Sequence, residues 1–190
     1  MTARILTLLL LLGLAACGRP DLTASRDVRP AFDLVDYFEG QTWAWGQFQD
    51  RLGRIRARFQ VRIDGDWDGR TLTLDETFLY DDGSTEKRIW RLQRAPDGRW
   101  VGQADGVVGG ATGEVSGNTF NWVYTIDLPV GDGETLRVGF DDWLWLQPSG
   151  GLINRAYVSR FGVTVGEVLI FFAKDNSTDE MRRAFANAGL

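Results

Sequence analysis

Residues 54–63 read RIRARFQVRI. Ile55, Ala57, Phe59, Val61 and Ile63 fall on one side of an extended chain, and Arg54, Arg56, Arg58, Gln60 and Arg62 on the other. A period of two over ten residues is the pattern of a strand with one face in a core and one in water. Outward from this stretch, the chain from Trp43 to Lys174 repeats the theme: short runs of β-branched and aromatic residues separated by compact turn signals. Those signals are Asp68-Gly69, Asp81-Asp82-Gly83, Pro96-Asp97-Gly98, Gly117-Asn118, Gly131-Asp132-Gly133, Pro148-Ser149-Gly150-Gly151 and Phe161-Gly162. They predict strands at 42–50, 54–64, 71–80, 84–94, 99–105, 111–116, 119–128, 134–146, 152–160 and 163–173. Consecutive hairpins are the economical connection.

Ten antiparallel strands need a way to hide their edges. An up-and-down meander closed into a barrel does so, and a two-layer sandwich is the alternative. The pattern changes at the tail. Ser177-Thr178-Asp179-Glu180 reads as a capping box, and Met181, Ala184, Phe185 and Ala188 share one face of a short docking helix that ends before Gly189. The expected class is all-β, a barrel of about ten strands over residues 32–175 with a C-terminal helix in 176–190.

At the other end, Arg4 is followed by an apolar run from Ile5 to Leu14, too short to cross a bilayer but suited to the core of a signal peptide. Leu14-Ala15-Ala16-Cys17 resembles the lipobox of bacterial lipoproteins. That resemblance implies cleavage after residue 16, a thioether-linked diacylglycerol on Cys17 and an acylated amine. Several acyl chains anchor firmly where one binds reversibly. By resemblance to Gram-negative sorting, Gly18 after the cysteine favours the outer membrane, facing the periplasm. Residues 17–31 are polar and proline-bracketed, and read as a tether of at most about 50 Å when extended at about 3.5 Å per residue.

Composition removes several chemistries. The chain has no histidine and one cysteine, so histidine-based triads, disulfides and Cys/His zinc sites are not expected. Its 26 acidic and 21 basic residues give a net charge of −5, and nucleic acid is an unsuitable partner. No cofactor is implied, and no protein partner is named by any motif.

The stretch FDLVDYFEGQTWAWG (32–46) resembles the opening of lipocalin-like barrels, in which a glycine and a tryptophan begin the first strand. Further blocks carry a second resemblance: AWGQFQDRLGRIRARF (44–59), LTLDETFLYDDGS (72–84), GEVSGNTFNW (113–122), FDDWLWL (140–146) and LINRAYVSRFGVTVGEV (152–168). Together these resemble a family of bacterial lipoproteins catalogued as domain of unknown function 3833. That label brings no activity and no catalytic residues with it.

The acidic series Asp64, Asp66, Asp68 and Gly69 matches the first half of a calcium loop, but its twelfth position is Asp75 instead of glutamate and its flanks read as strands. A solvated hairpin turn is expected, and no metal. More informative is the strand 72–80, whose apolar face Leu72, Leu74, Phe78, Tyr80 includes Glu76. With a three-residue loop at 81–83, Phe78 faces Glu86, Glu76 faces Arg88 and Leu74 faces Trp90. An internal Glu76–Arg88 ion pair is therefore expected, on an interior lined by Phe59, Phe78, Trp90, Trp100, Phe120, Trp122 and Tyr124. A second polar set, Asp142, Asn154, Arg160 and Glu167, shares strand parity with aliphatic neighbours. The opposite faces there carry Trp143, Trp145, Ile153, Tyr157, Phe161, Val168, Ile170 and Phe172, so either face of the late strands can be the core. One would line the barrel, and the tail helix or residues 32–40 would cover the other.

The functional expectation is a non-enzymatic envelope lipoprotein that binds or shuttles a hydrophobic or amphipathic molecule of lipid or fatty-acid type. Ligand contacts are expected from Arg88, Glu76, Trp90, Trp122, Tyr124 and Phe78. A filled, ligand-free barrel acting as a scaffold and a carboxylate enzyme using Glu76, Asp142 or Glu167 are the alternatives.

Overall fold

Alternating side chains can serve a barrel only if every strand finds two neighbours, and the register provides them. The computed structural model describes residues 18–131, 133–174 and 179–190; the signal segment 1–16, Cys17, and Ser177 and Thr178 of the expected capping box lie outside these. Ten strands follow one another: β1 (Gly40–Asp50), β2 (Ile55–Trp67), β3 (Thr71–Tyr80), β4 (Thr85–Arg94), β5 (Trp100–Gln103), β6 (Val107–Ser116), β7 (Thr119–Gly131), β8 (Glu134–Leu146), β9 (Leu152–Arg160) and β10 (Val163–Lys174). Each pairs antiparallel with the next, and β10 returns to β1 from Thr42 opposite Lys174 to Asp50 opposite Gly166. The result is one closed up-and-down barrel, not a sandwich.

Most strand bounds match the period-two reading within a few residues. The exception is β6, which begins at Val107 because Gly109 and Gly110, both at positive φ, form a bulge where the pairing with β7 shifts between Val108 and Thr112. Ile55, expected in the core, sits at the rim: the β1–β2 register shifts at Phe48/Gln49 and leaves it 39% exposed.

The interior holds the alternate residues of every strand, Val61 and Ile63 of β2, Leu72 and Leu74 of β3, Trp90 and Leu92 of β4 among them. On the late strands the register decides what parity alone left open. Asn154 is opposite Leu144 and Ile170, and Ala156 is opposite Asp142 and Val168, so these residues face inward together. Val168, Ile170 and Phe172 therefore line the barrel, whereas Trp143, Trp145, Ile153 and Tyr157 point outward.

One end of the barrel is closed. Asp33 caps a short helix α1 (Leu34–Phe38) by accepting from the Val35 and Asp36 backbone N–H groups at 2.8 and 3.3 Å. Phe32, Leu34, Tyr37 and Phe38 are all buried in the barrel core, with the Phe38 ring 6.0 Å from Phe172 and the Phe32 ring 6.3 Å from Phe120. Gly65 permits this closure, because a side chain there would collide with the Phe38 carbonyl. Residues 32–38 thus plug an end of the barrel and do not cover an outer face. The opposite end carries the β1–β2, β3–β4, β5–β6, β7–β8 and β9–β10 connections. Near it the interior side chains Phe48, Ala57, Leu136 and Val165 are only half-buried.

Two peripheral segments pack on the outside. The tail helix α2 (Asp179–Asn187) places Phe185 edge-on to Trp43 at 5.4 Å, with Trp45, Leu79 and Leu190 around the pair. The segment read as a tether is laid against the barrel over residues 18–31. A 3-10 turn at Leu22–Ser25 brings the Ser25 hydroxyl to accept from Thr119 at 2.7 Å, and Arg19 pairs with Asp141 and lies over the Tyr157 ring. In the acidic hairpin, Asp68 accepts from the Arg70 and Thr71 backbone N–H groups at 2.8 and 2.7 Å and so closes the β2–β3 turn.

Candidate functional site

The barrel encloses a cavity of about 480 Å3, within the range of small-molecule sites. Its floor against the plug is apolar: Leu34, Phe38, Ile63, Leu74, Leu144 and Phe172 line it. One wall is aromatic. Trp90 of β4 reaches across to β7, meeting Trp122 at 5.6 Å and Tyr124 at 5.0 Å, both edge-on. The intervening strands make this possible by presenting Gly102 and Gly113 inward: a Cβ at Gly102 would sit 2.8 Å from the Trp122 ring, and one at Gly113 2.6 Å from Phe120 and Trp122. The bare sheet face gives the large rings their room.

Polar side chains are set into this apolar wall. On β3 and β4, Tyr80, Glu86 and Arg88 form a chain: the Tyr80 hydroxyl donates to Glu86 Oε2 at 2.9 Å, and Arg88 Nη2 donates to Glu86 Oε1 at 2.6 Å. The Arg88 guanidinium lies 5.3 Å from the Phe78 ring centre. Burial opposes its charge, but the neighbouring Glu76 and Glu86 carboxyls and the Glu86 hydrogen bond hold it protonated. Deeper in, Asn154 Nδ2 donates to Asp142 Oδ1 at 3.1 Å. Asp142 Oδ2 and Asn154 Oδ1 are buried and have no hydrogen-bond partner among the described residues.

Two carboxyls titrate far from their ordinary range. Burial pushes Glu76 up to about 7 against the pull of Arg88, with Asp142, Glu86 and Asp75 adding to the rise. Burial likewise pushes Asp142 up to about 7, opposed by the Asn154 hydrogen bond. Both are ringed by protein on all sides yet face the cavity, so water within it tempers the penalty. A proton on Asp142 Oδ2 would turn an orphan acceptor into a donor. Burial also raises Tyr124 well above the phenol range, which keeps it neutral.

All six residues expected to meet a ligand, Arg88, Glu76, Trp90, Trp122, Tyr124 and Phe78, line this cavity. The hairpin register is also as read, with Glu76 opposite Arg88 and Phe78 opposite Glu86. The expected Glu76–Arg88 ion pair does not form. Arg88 pairs instead with Glu86, two residues along its own strand, because a long side chain leaning along an inward face reaches its same-face neighbour. Glu86 shares the parity of Arg88 and Trp90, and that was the signal for it. Trp100 is buried beside Trp67 outside the cavity lining. Of the second polar set, Asp142 and Asn154 join the site. Glu167 points outward and binds Arg155 at 2.6 Å, and Arg160 is exposed at the rim.

A family model described as "Protein of unknown function (DUF3833)" matches residues 11–174. No curated protein matches the chain.

Because folded Glu76 and Asp142 keep protons that the unfolded chain releases between 4.5 or 3.8 and about 7, stability falls as pH rises through that window and levels off above it. Urea unfolding is expected to show a loss on the order of 1–2 kcal/mol from pH 5 to pH 7.5 once cavity water is allowed for. Glu76→Gln with Asp142→Asn should flatten the profile. A wild-type profile that rises over this range would contradict the burial of these groups.

Proposed function

The chain belongs to the DUF3833 family of proteins of unknown function, and from the geometry of its cavity we propose that it binds or carries an amphipathic, lipid-like molecule inside the barrel. One observation carries this reading: a closed barrel, plugged at one end, surrounds about 480 Å3 of space whose floor is apolar and whose upper wall carries Arg88, Glu86, Tyr80 and Glu76. An acyl-type tail fits the floor against Phe38, Leu144 and Phe172. A head group then falls level with Arg88, which spends one N–H on Glu86 and has the rest of its fork to offer a carboxylate, phosphate or carbonyl oxygen. The dry, filled scaffold fits this interior less well, since it would leave Asp142 Oδ2 and Asn154 Oδ1 unpartnered at a real cost. The role is binding, not catalysis.

Charge refines the ligand class. Glu86 neutralises Arg88, so the site has no net positive charge while Glu76 and Asp142 are ionised. Protonation of these two as pH falls toward 6 favours an anionic head group, and a neutral hydroxyl- or carbonyl-bearing one is accepted at any pH.

Placement in the cell envelope is part of the same reading. It rests on the apolar run 5–14 and on Leu14-Ala15-Ala16-Cys17, with Cys17 as the acylated residue and the outer membrane as the destination. Cys17→Ser is expected to abolish incorporation of labelled palmitate and to release the protein from membranes washed at high salt. Persistent labelling of the variant would contradict lipidation at this residue.

The ligand proposal is tested by native mass spectrometry of gently purified protein. Wild type is expected to carry co-purifying lipid that survives desolvation. Ala156→Phe, which fills the cavity from a buried inward position, should lose it, and Arg88→Met should lower occupancy at least about tenfold, the equivalent of about 1.4 kcal/mol. Equal occupancy in wild type and both variants would reject an internal site.

A further inference from the structure

We propose that the open end of the barrel docks on an anionic phospholipid bilayer through the tips of the β1–β2 and β9–β10 hairpins, so that the cavity mouth faces the membrane. The two tips are neighbours: β1 pairs with β10, and the Arg51 backbone N–H donates to the Val165 carbonyl at 3.0 Å. Together they project Leu52, 67% exposed, Phe161, 91% exposed, and Val163, 58% exposed. Phe161 is the sharpest of the three. It occupies the first position of a two-residue turn, at φ 50 before Gly162 at φ 76, where asparagine or glycine sits without strain and a bulky side chain does not. The strain yields no packing, since the ring is in water except for Arg160, whose guanidinium lies 4.9 Å from its centre.

Charge identifies the surface that these tips fit. Arg51, Arg54 and Arg160 are exposed around the apolar residues, and among the described residues no carboxylate lies within 4.0 Å of their guanidinium groups; the Asp50 carboxylate in the same turn accepts from the Leu52 and Arg54 backbone N–H groups and pairs with Arg56. This cluster is basic although the whole chain carries −5. Asp81 and Asp82 of the β3–β4 turn and Asp105 before β6 stand elsewhere on the same rim. The rim is thus sided, with one basic and apolar sector and one acidic sector. Apolar tips enter the acyl boundary while arginines meet phosphates at the interface, and the acidic sector stays in water.

The course of the N-terminal segment points the same way. Ser25 lies at the plugged end, on Thr119, whose β8 partner is Trp145. Arg19 lies on Asp141 and Tyr157, four residues up β8, about 13 Å along the strand at about 3.3 Å per residue and about 10 Å nearer the mouth at the usual tilt of a barrel strand. The remaining distance from Tyr157 to the β9–β10 turn is about 10 Å along the strand. The described chain therefore climbs toward the mouth as it nears residue 17, the end at which an acylated terminus would serve this orientation. This last argument rests on lipidation of Cys17; the hairpin tips do not.

The test uses the full lipoprotein. Cys17 is the chain's single cysteine and the lipid occupies it, so Val163→Cys carries a unique environment-sensitive fluorophore. Ile153→Cys reports the outer face, where Trp145, Ile153, Phe171 and Trp45 form one register row. In vesicles of phosphatidylethanolamine and phosphatidylglycerol containing nitroxide-labelled lipid, the label at 163 is expected to shift to the blue and be quenched, and the label at 153 to report water. Quenching should fall at high salt and in Arg51→Glu with Arg54→Glu and Arg160→Glu. Phe161→Gly, which relieves the turn, should weaken quenching without lowering the melting temperature, a split that a structural role would not give. A label at 163 that stays in water, or quenching at 153 in its place, overturns the proposal. Intact mass reports acylation separately: if the chain carries no acyl groups, the label is placed in Cys17→Ser with Val163→Cys, and quenching at 163 there would keep the docking tips and remove the anchor.

Discussion

Everything in this molecule depends on the ladder between its first and last strands. Thr42 to Asp50 pair with Lys174 to Gly166, and that pairing turns a ten-strand meander with two hazardous edges into a tube with none. Closure has a second consequence. Once β1 lies between β2 and β10, every inward side chain looks across at the others, so residues far apart in sequence, Glu76, Arg88, Asp142 and Asn154, share one low-dielectric space. Their chemistry is a property of the closed ring and of no single hairpin.

That space is finished by small concessions in the chain. The plug at residues 32–38 seats only because Gly65 has no side chain, and Trp122 and Phe120 lie flat only because Gly102 and Gly113 leave the facing sheet bare. The result is an interior that is packed at one end and hollow above. The carboxyls left in the hollow carry the cost of desolvation as raised pKa values, about 7 for Glu76 and for Asp142. Groups poised in this way beside an arginine suit a site that exchanges hydrogen bonds with a visiting head group better than a site built for rigidity alone.

Strand-rich stretches such as 54–63 were legible because one face is polar and the other is not. The hairpin register of β3 and β4 was legible because the Asp81-Asp82-Gly83 turn sets it. The late strands were harder: Trp143, Ile153 and Phe171 make their outer faces as apolar as their inner ones, and only pairing with an already oriented strand decides between them. Directly opposite positions do not guarantee contact between long side chains, which is why Arg88 bonds Glu86 and not Glu76. The five-residue helix α1 is too short to show a period, and its burial depends on a barrel end that no local pattern encodes. The N-terminal segment looked like a spacer because its contacts, Ser25 to Thr119 and Arg19 to Asp141, are single polar pairs across about a hundred residues of sequence.

The central claim is that the hollow admits a ligand, and the tryptophans on its wall supply the reporter. Trp90 and Trp122 lie within the cavity lining, at a distance suited to energy transfer to a polyene fatty acid lodged against the floor. Titration of delipidated protein with cis-parinaric acid is predicted to quench tryptophan emission with saturation at one probe per chain, and Ala156→Phe to remove the effect. Emission that declines linearly with probe, identically in wild type and Ala156→Phe, would contradict a ligand site inside this barrel.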